Sequence, residues 1–222
     1  MLIFRIPKNE KITGRSKCQH CKHALNASDL FPIIGFLFLR GKCRYCHKKI
    51  SKQYPVVEII SGLLFVSVSA LPLPLAILLG LALWLLFIIA AIDAKTETIS
   101  DALNAPLFLI AVSWSSIMGS FDWLAVVVAV GFLGLQCFVS GGKWVGLGDV
   151  FLIASISLIV GSWQNMLLCL FLTYIIGAAY ALILLITGEK KRTDTLPFAP
   201  FLATATVITL FFGEVILHLY GL

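Results

Sequence analysis

The stretch LAILLGLALWLLFIIAAI, residues 75–92, decides the fold. It contains no charged or hydroxyl-bearing side chain, and it stops on Asp93. About 20 apolar residues in a helix cross a bilayer, within a range of roughly 17–25. Backbone polar groups in lipid have no other internal partners, so the segment must be helical. Working outward, six further apolar stretches read as spans: 56–71 before it, then 103–118, 123–139, 150–161, 166–186 and 198–219 after it. Pro72, Pro74, Gly119, Gly141, Gly142 and Pro197 mark the breaks. The span 150–161 is short for a full crossing.

Composition agrees with this reading. The chain is 59% hydrophobic and 13% charged, with a mean hydropathy of +0.99. Soluble domains run at about 45–50% apolar and about 25% charged, so an ordinary soluble globule and a disordered chain are both excluded. The formal charge of +6 is concentrated at one end. Eleven of the 17 Lys and Arg residues lie between Lys8 and Lys52, as do Cys18, Cys21, Cys43 and Cys46. The expected organisation is all-α: a basic head over residues 1–54, and a membrane domain of about seven transmembrane helices over 55–222. Residues 1–6 are too short to span and carry no signal-peptide pattern.

Lysine and arginine collect on the cytoplasmic side of membrane proteins. With the head inside, alternate threading puts Lys95, Lys143 and the Lys190-Lys191-Arg192 cluster inside as well. The opposite connections, 72–74, 120–122 and 162–165, hold no Lys or Arg. The expected location is therefore the plasma (inner) membrane, multi-pass, with the bilayer as a partner and no nucleic-acid partner.

Cys18-Gln-His-Cys21 and Cys43-Arg-Tyr-Cys46 are two CxxC pairs. Two thiolates on each of two tight turns can close a tetrahedron, which reads as a structural zinc site. The reducing cytoplasm argues against disulfides. Reduced, unliganded cysteines and rubredoxin-like iron are the alternatives. His20, His23 and His47 read as solvated histidines, and Cys137 and Cys169 as small buried hydrophobes. Four thiolates leave no open position, so chemistry has to lie elsewhere.

Ionisable groups at membrane depth default to functional candidates. Asp93 falls at a helix C-terminus, where a carboxylate meets the negative end of the dipole, so a capping role explains it poorly. Asp149 follows Gly146-Leu147-Gly148. An N-cap accounts for it in part, while the two glycines permit close backbone approach and an unusual turn. The threading puts Asp93 and Asp149 at the same cytoplasmic face. Two carboxylates held close share a proton and titrate as a unit, the pattern of an aspartic protease. Asp101 and Glu58 are secondary candidates: Asp101 reads as an N-cap, Glu58 as a group snorkelling from the first turn of its span. Glu214 and His218, spaced i, i+4, read as a pair.

Together these features resemble the type IV prepilin peptidases, membrane aspartyl proteases with a GxGD motif. The similarity includes both CxxC pairs, the stretch from Asp29 to Cys43, Tyr54-Pro-Val-Val-Glu58, Ile92-Asp93, Gly146-Leu-Gly-Asp149 and Leu196-Pro-Phe-Ala-Pro200. The Pro-Phe-Ala-Pro ending looks most like the competence-type peptidases. The resemblance implies that Asp93 and Asp149 are the catalytic pair. It also implies pilin-like precursors as substrates, cut after a glycine that ends a short basic leader, in the service of pili, competence or secretion. Many family members also methylate the new N-terminus with S-adenosylmethionine. Three departures stand out. The family's usual first transmembrane helix, before the segment resembling Arg5-Ile6-Pro7, is missing, so the resemblance carries the peptidase further than the methyltransferase. Ser100 replaces a family proline, which weakens Asp101 as a catalytic candidate. Phe151 replaces a family lysine. Two other functions compete: a non-catalytic pilin-assembly factor derived from such a peptidase, and a cation-handling membrane protein using Asp93, Asp149 and Glu58.

Overall fold

Apolar runs set the helices of this chain, and a handful of breaker residues set their ends. The computed structural model describes residues 15–191, 193–219 and 221, with Ile3 and Ile6. Arg5, Pro7, Lys8, Glu10, Lys11 and Arg192 lie outside the described residues. Among the described residues the chain is helical, with two isolated bridges and no strand. It divides into two compact units, Met1–Pro72 and Leu73–Leu222.

The first unit holds a 3-10 turn (Ala27–Leu30), a short helix α1 (Ile34–Phe38) and a helix α2 (Gln53–Ser67). The helix read from sequence as the first span is α2. It starts three residues earlier than expected and ends at Ser67. At 15 residues it is about 22 Å long, against a hydrocarbon thickness of about 30 Å. None of its residues is buried.

The second unit contains α3 (Leu73–Thr96), α4 (Asp101–Met118), α5 (Trp123–Ser140), α6 (Leu147–Val160), α7 (Trp163–Ile186) and α8 (Ala199–Leu219). All of these except α6 are long and apolar enough to cross a membrane. The chain is a multi-pass membrane protein. The 14-residue α6 is the stretch whose shortness stood out in the sequence. It is apolar all round, as a helix enclosed by others is. It packs against α4, α5, α7 and α8, with Leu152, Ile153 and Ile156 fully buried. α3 packs on α4 and α8, α5 on α7, and α7 on α8.

At one end of this unit the connections are tight. Asp122 accepts from the N–H of Leu124 and from that of Trp163, both at 2.9 Å, so one carboxylate caps α5 and α7 together. Gly119 and Gly161 end α4 and α6 in the left-handed conformation that glycine adopts without strain. Trp114 Nε1 donates to the carbonyl of Ile159 at 3.2 Å, tying the end of α4 to the end of α6. No side-chain hydrogen bond or ion pair joins Glu214 to His218 among the described residues.

Candidate functional site

The opposite end of the second unit carries the acids. Asp93 lies in the last turn of α3 and is 4% exposed. Its Oδ2 accepts the N–H of Ala199, the first residue of α8, at 2.9 Å. This explains a carboxylate at the unfavourable end of its own helix: it faces the positive end of another. The Pro197-Phe198-Ala199-Pro200 sequence contributes directly. Pro200 has no N–H, so Ala199 supplies the donor that Asp93 takes.

Asp149 is not the N-cap of its helix. Gly146 holds that position, and Asp149 sits three residues in. Its Oδ2 reaches back to the Gly146 N–H at 3.0 Å. Its Oδ1 is buried and accepts no hydrogen bond from the described residues. Gly148 makes the close approach: a Cβ there would stand 3.0 Å from Cβ of Ile99, in the α3–α4 loop. The Gly148 carbonyl also accepts from Asn104 Nδ2 at 3.1 Å. Asn104, buried in α4, was missed in the sequence. The available signal was an amide in an apolar span, which needs a polar partner there.

These links bring the α3–α4 loop, the start of α6 and the start of α8 to one end of the unit. Asp93 and Asp149 lie within reach of one another's charge, which is repulsive when both are ionised. The secondary candidates are each accounted for locally. Asp101 is exposed in the first turn of α4, with Ser100 rather than Asp101 at the N-cap. Glu58 belongs to the first unit and does not snorkel. Its Oε2 accepts the Ile33 N–H at 2.7 Å and holds Ile33 at a φ of 60°.

In the first unit, Cys18, Cys21, Cys43 and Cys46 converge, their sulfurs all within 4.8 Å of one another. Cys18 Sγ and Cys46 Sγ are 3.9 Å apart. Tetrahedral zinc with Zn–S bonds of about 2.3 Å requires sulfurs about 3.8 Å apart, so the cluster fits a four-thiolate metal centre. Each CxxC turn is closed in the same way. Lys17 bridges Ala24, and Lys42 bridges Lys49. The N–H of Cys18 bonds the His23 carbonyl, and that of Cys43 bonds the Lys48 carbonyl, both at 2.9 Å. Lys22 and His47, each following the second cysteine of its pair, have φ of 58° and 55°. The two loops are thus a structural repeat, which the spacing of the cysteines carried and the sequence reading did not use. Burial raises the pKa of the Cys18 thiol. The Cys21 and His20 N–H groups and hydrogen bonds with Cys43 and Cys21 outweigh that effect and bring it down to about 6. A sulfur held in this way is ready to bind metal as thiolate.

Comparison with known proteins bears on both units. Residues 1–71 match the family model described as the bacterial peptidase A24 N-terminal domain. Residues 80–182 match that of the type IV leader peptidase family. A protein of Burkholderia pseudomallei named prepilin leader peptidase/N-methyltransferase is 36% identical over 219 residues, which is 93% of this chain and 70% of that protein. Proteins of the same name from Aeromonas hydrophila and Bacillus subtilis are 32% and 31% identical. They align with 96% and 97% of this chain, and with 77% and 89% of their own lengths. No solved structure matches. The chain belongs to the type IV leader peptidase family.

Proposed function

We propose that this protein is a membrane aspartic endopeptidase that removes the leader from type IV prepilin-like precursors, with Asp93 and Asp149 as its catalytic carboxylates. The observation that carries the reading is the pairing at one end of the second unit. Each carboxylate spends Oδ2 on a backbone N–H, and the two interact electrostatically. Asp149 Oδ1 has no hydrogen-bond partner among the described residues. Tethering fixes each side chain, and in Asp149 it leaves the second oxygen for proton transfer. Two carboxylates in electrostatic reach of one another share a single proton. The ionised member takes a proton from a water molecule as its oxygen bonds to the scissile carbonyl carbon. The protonated member then donates to the leaving amide nitrogen as the C–N bond breaks.

Lys95 in the last turn of α3, with Lys143 and Lys190 in the connections at this same end, supports a cytoplasmic active face. The substrate reading rests on the relatives' names. We assign zinc to the four-cysteine cluster, where it would be held by Cys18, Cys21, Cys43 and Cys46 and would order the head without entering the reaction.

The methyltransferase activity in the relatives' names is a second reading, favoured by a cavity in the first unit. About 380 Å³ in volume, it is lined by Phe31, Phe36 and Tyr54, with the acids Asp29 and Glu58 set among Lys17, Arg44, Lys48 and Lys49. Aromatic walls of that size suit the nucleoside part of S-adenosylmethionine.

The test is cleavage of a synthetic precursor, with a basic leader, a glycine and the start of an apolar helix, by the purified full chain in lipid nanodiscs. Wild type should cut after the glycine, and Asp93→Asn and Asp149→Asn should not. Cleavage at the normal rate by either variant overturns the dyad. Failure of inserted wild-type protein to cut any such precursor favours the assembly-factor reading instead.

A further inference from the structure

We infer that Glu97 and Thr195 form a latch that positions Asp93 for the reaction, and the inference rests on Asp93 being catalytic as proposed above. Glu97 is the first residue beyond α3. Its N–H bonds the Asp93 carbonyl at 2.8 Å, and it adopts a φ of 51°, a left-handed conformation costly for a side chain of this kind. That turn directs its carboxylate at the connection between α7 and α8. Thr195 Oγ1 donates to Glu97 Oε2, and Lys190 Nζ donates to Glu97 Oε1 at 3.2 Å. Lys190 Nζ also donates to the Thr195 carbonyl, closing the group into a ring of three residues.

The ring lies four residues from the donor that holds Asp93. Thr195 is followed by Leu196, Pro197, Phe198 and Ala199. Pro197 fixes its own φ and restricts Leu196 before it, so the link is stiff. The α3 terminus therefore grips the α8 terminus at two points, through Asp93 on Ala199 and through Glu97 on Thr195. Without the second grip, the connection swings about the first, and Asp93 follows the N–H it is bonded to. A displacement of about 1 Å at a reacting group costs up to about a hundredfold in rate. The energy of one exposed ion pair is small, so the latch acts on geometry and leaves the fold intact. Glu97 and Thr195 are positioning residues: they touch neither substrate nor reacting atoms.

The experiment compares Glu97→Ala, Thr195→Val, Thr195→Ser and the double variant Glu97→Ala/Thr195→Val in the nanodisc cleavage assay. Glu97→Ala and Thr195→Val should each lower kcat about tenfold with KM within about twofold of wild type, the signature of lost transition-state alignment. Thr195→Ser keeps the hydroxyl and should retain wild-type kcat. The double variant should be no slower than either single one, because both remove the same link. Three results overturn the latch: wild-type kcat in Glu97→Ala and Thr195→Val, a loss in KM alone, or a Thr195→Ser variant as slow as Thr195→Val. Asp93→Asn, run alongside, separates the two claims. If it is inactive while Thr195→Val is normal, the latch fails and the dyad stands. If Asp93→Asn is active, the dyad falls and the latch with it.

Discussion

The carboxylate of Asp93, near the end of α3, accepts the backbone N–H of Ala199 at the start of α8, across 106 positions of sequence. One oxygen thus caps a helix, and the same group is the proposed acid or base. The two roles separate by substitution. Asn can still accept the Ala199 N–H, so Asp93→Asn should stay folded and lose at least about a thousandfold in cleavage rate, the scale of general acid–base catalysis. Asp93→Leu loses the cap as well and should be destabilised by about 1–2 kcal/mol. Thermal unfolding in detergent, read beside cleavage, checks both.

Gly148→Ala should be poorly tolerated, because its Cβ would press on Ile99 Cβ at 3.0 Å. Separating α6 from the α3–α4 loop costs about 1–3 kcal/mol, the usual range for overpacking. Asn104→Leu removes the donor to the Gly148 carbonyl and should cost about 1 kcal/mol. Both should lower the unfolding midpoint, with a larger fall for Gly148→Ala.

For the head, metal analysis of purified protein should find about one zinc per chain, since the site has four thiolates. Cys18→Ser should abolish stoichiometric zinc and expose the first unit to limited proteolysis. Strong chelation of wild type should do the same, because structural zinc contributes folding free energy outright. Cleavage within residues 15–50 would be the readout, and a chelated head as resistant as the untreated one would count against a structural metal.

Acid should release the Glu97 network. The Thr195 hydroxyl first, and Lys190 second, hold the Glu97 carboxyl below its ordinary value of 4.5. A depressed folded pKa gives stability that is complete above the unfolded value and is lost as pH falls through the folded one. The window therefore lies below about pH 4.5. The groups facing Glu97 are Thr195, Lys190 and, through its charge, Asp93. Any difference in unfolding midpoint between wild type and Glu97→Gln should be small, because the group is exposed, and should shrink as pH falls below about 4.5. A difference that stays constant over that range would contradict the assignment.

Asp122→Ala removes the cap shared by α5 and α7 at the other end of the unit. It should cost about 1–2 kcal/mol and leave the kcat of the folded protein unchanged. A loss of kcat would mean that the two ends are coupled.

The helices of the second unit were legible because lipid leaves an apolar run one option, and residues 75–92 allow no other reading. The cysteine cluster was legible from spacing alone. The partners of the acids were not. That Asp93 would take the N–H of Ala199, and Gly148 the amide of Asn104, depends on which helices become neighbours. An apolar pattern that is the same on every face of a helix carries no record of its neighbours. Asp149 illustrates the limit: an acid after two glycines reads equally as first or third residue of a turn, and only the Gly146 backbone decides it. Ile33 and Glu97 carry left-handed backbones that nothing in a β-branched or acidic side chain announces.

The shortness of α6 has a consequence for whatever reaches Asp149. At 14 residues α6 is shorter than each of the helices it packs against, and Asp149 sits in its first turn. A helical guest about 10 Å across would bring its amides already occupied by one another. If Asp149 cuts a polypeptide as proposed, the segment at the cleavage point must uncoil first, and the ease of that uncoiling just ahead of the apolar segment would help to choose among precursors.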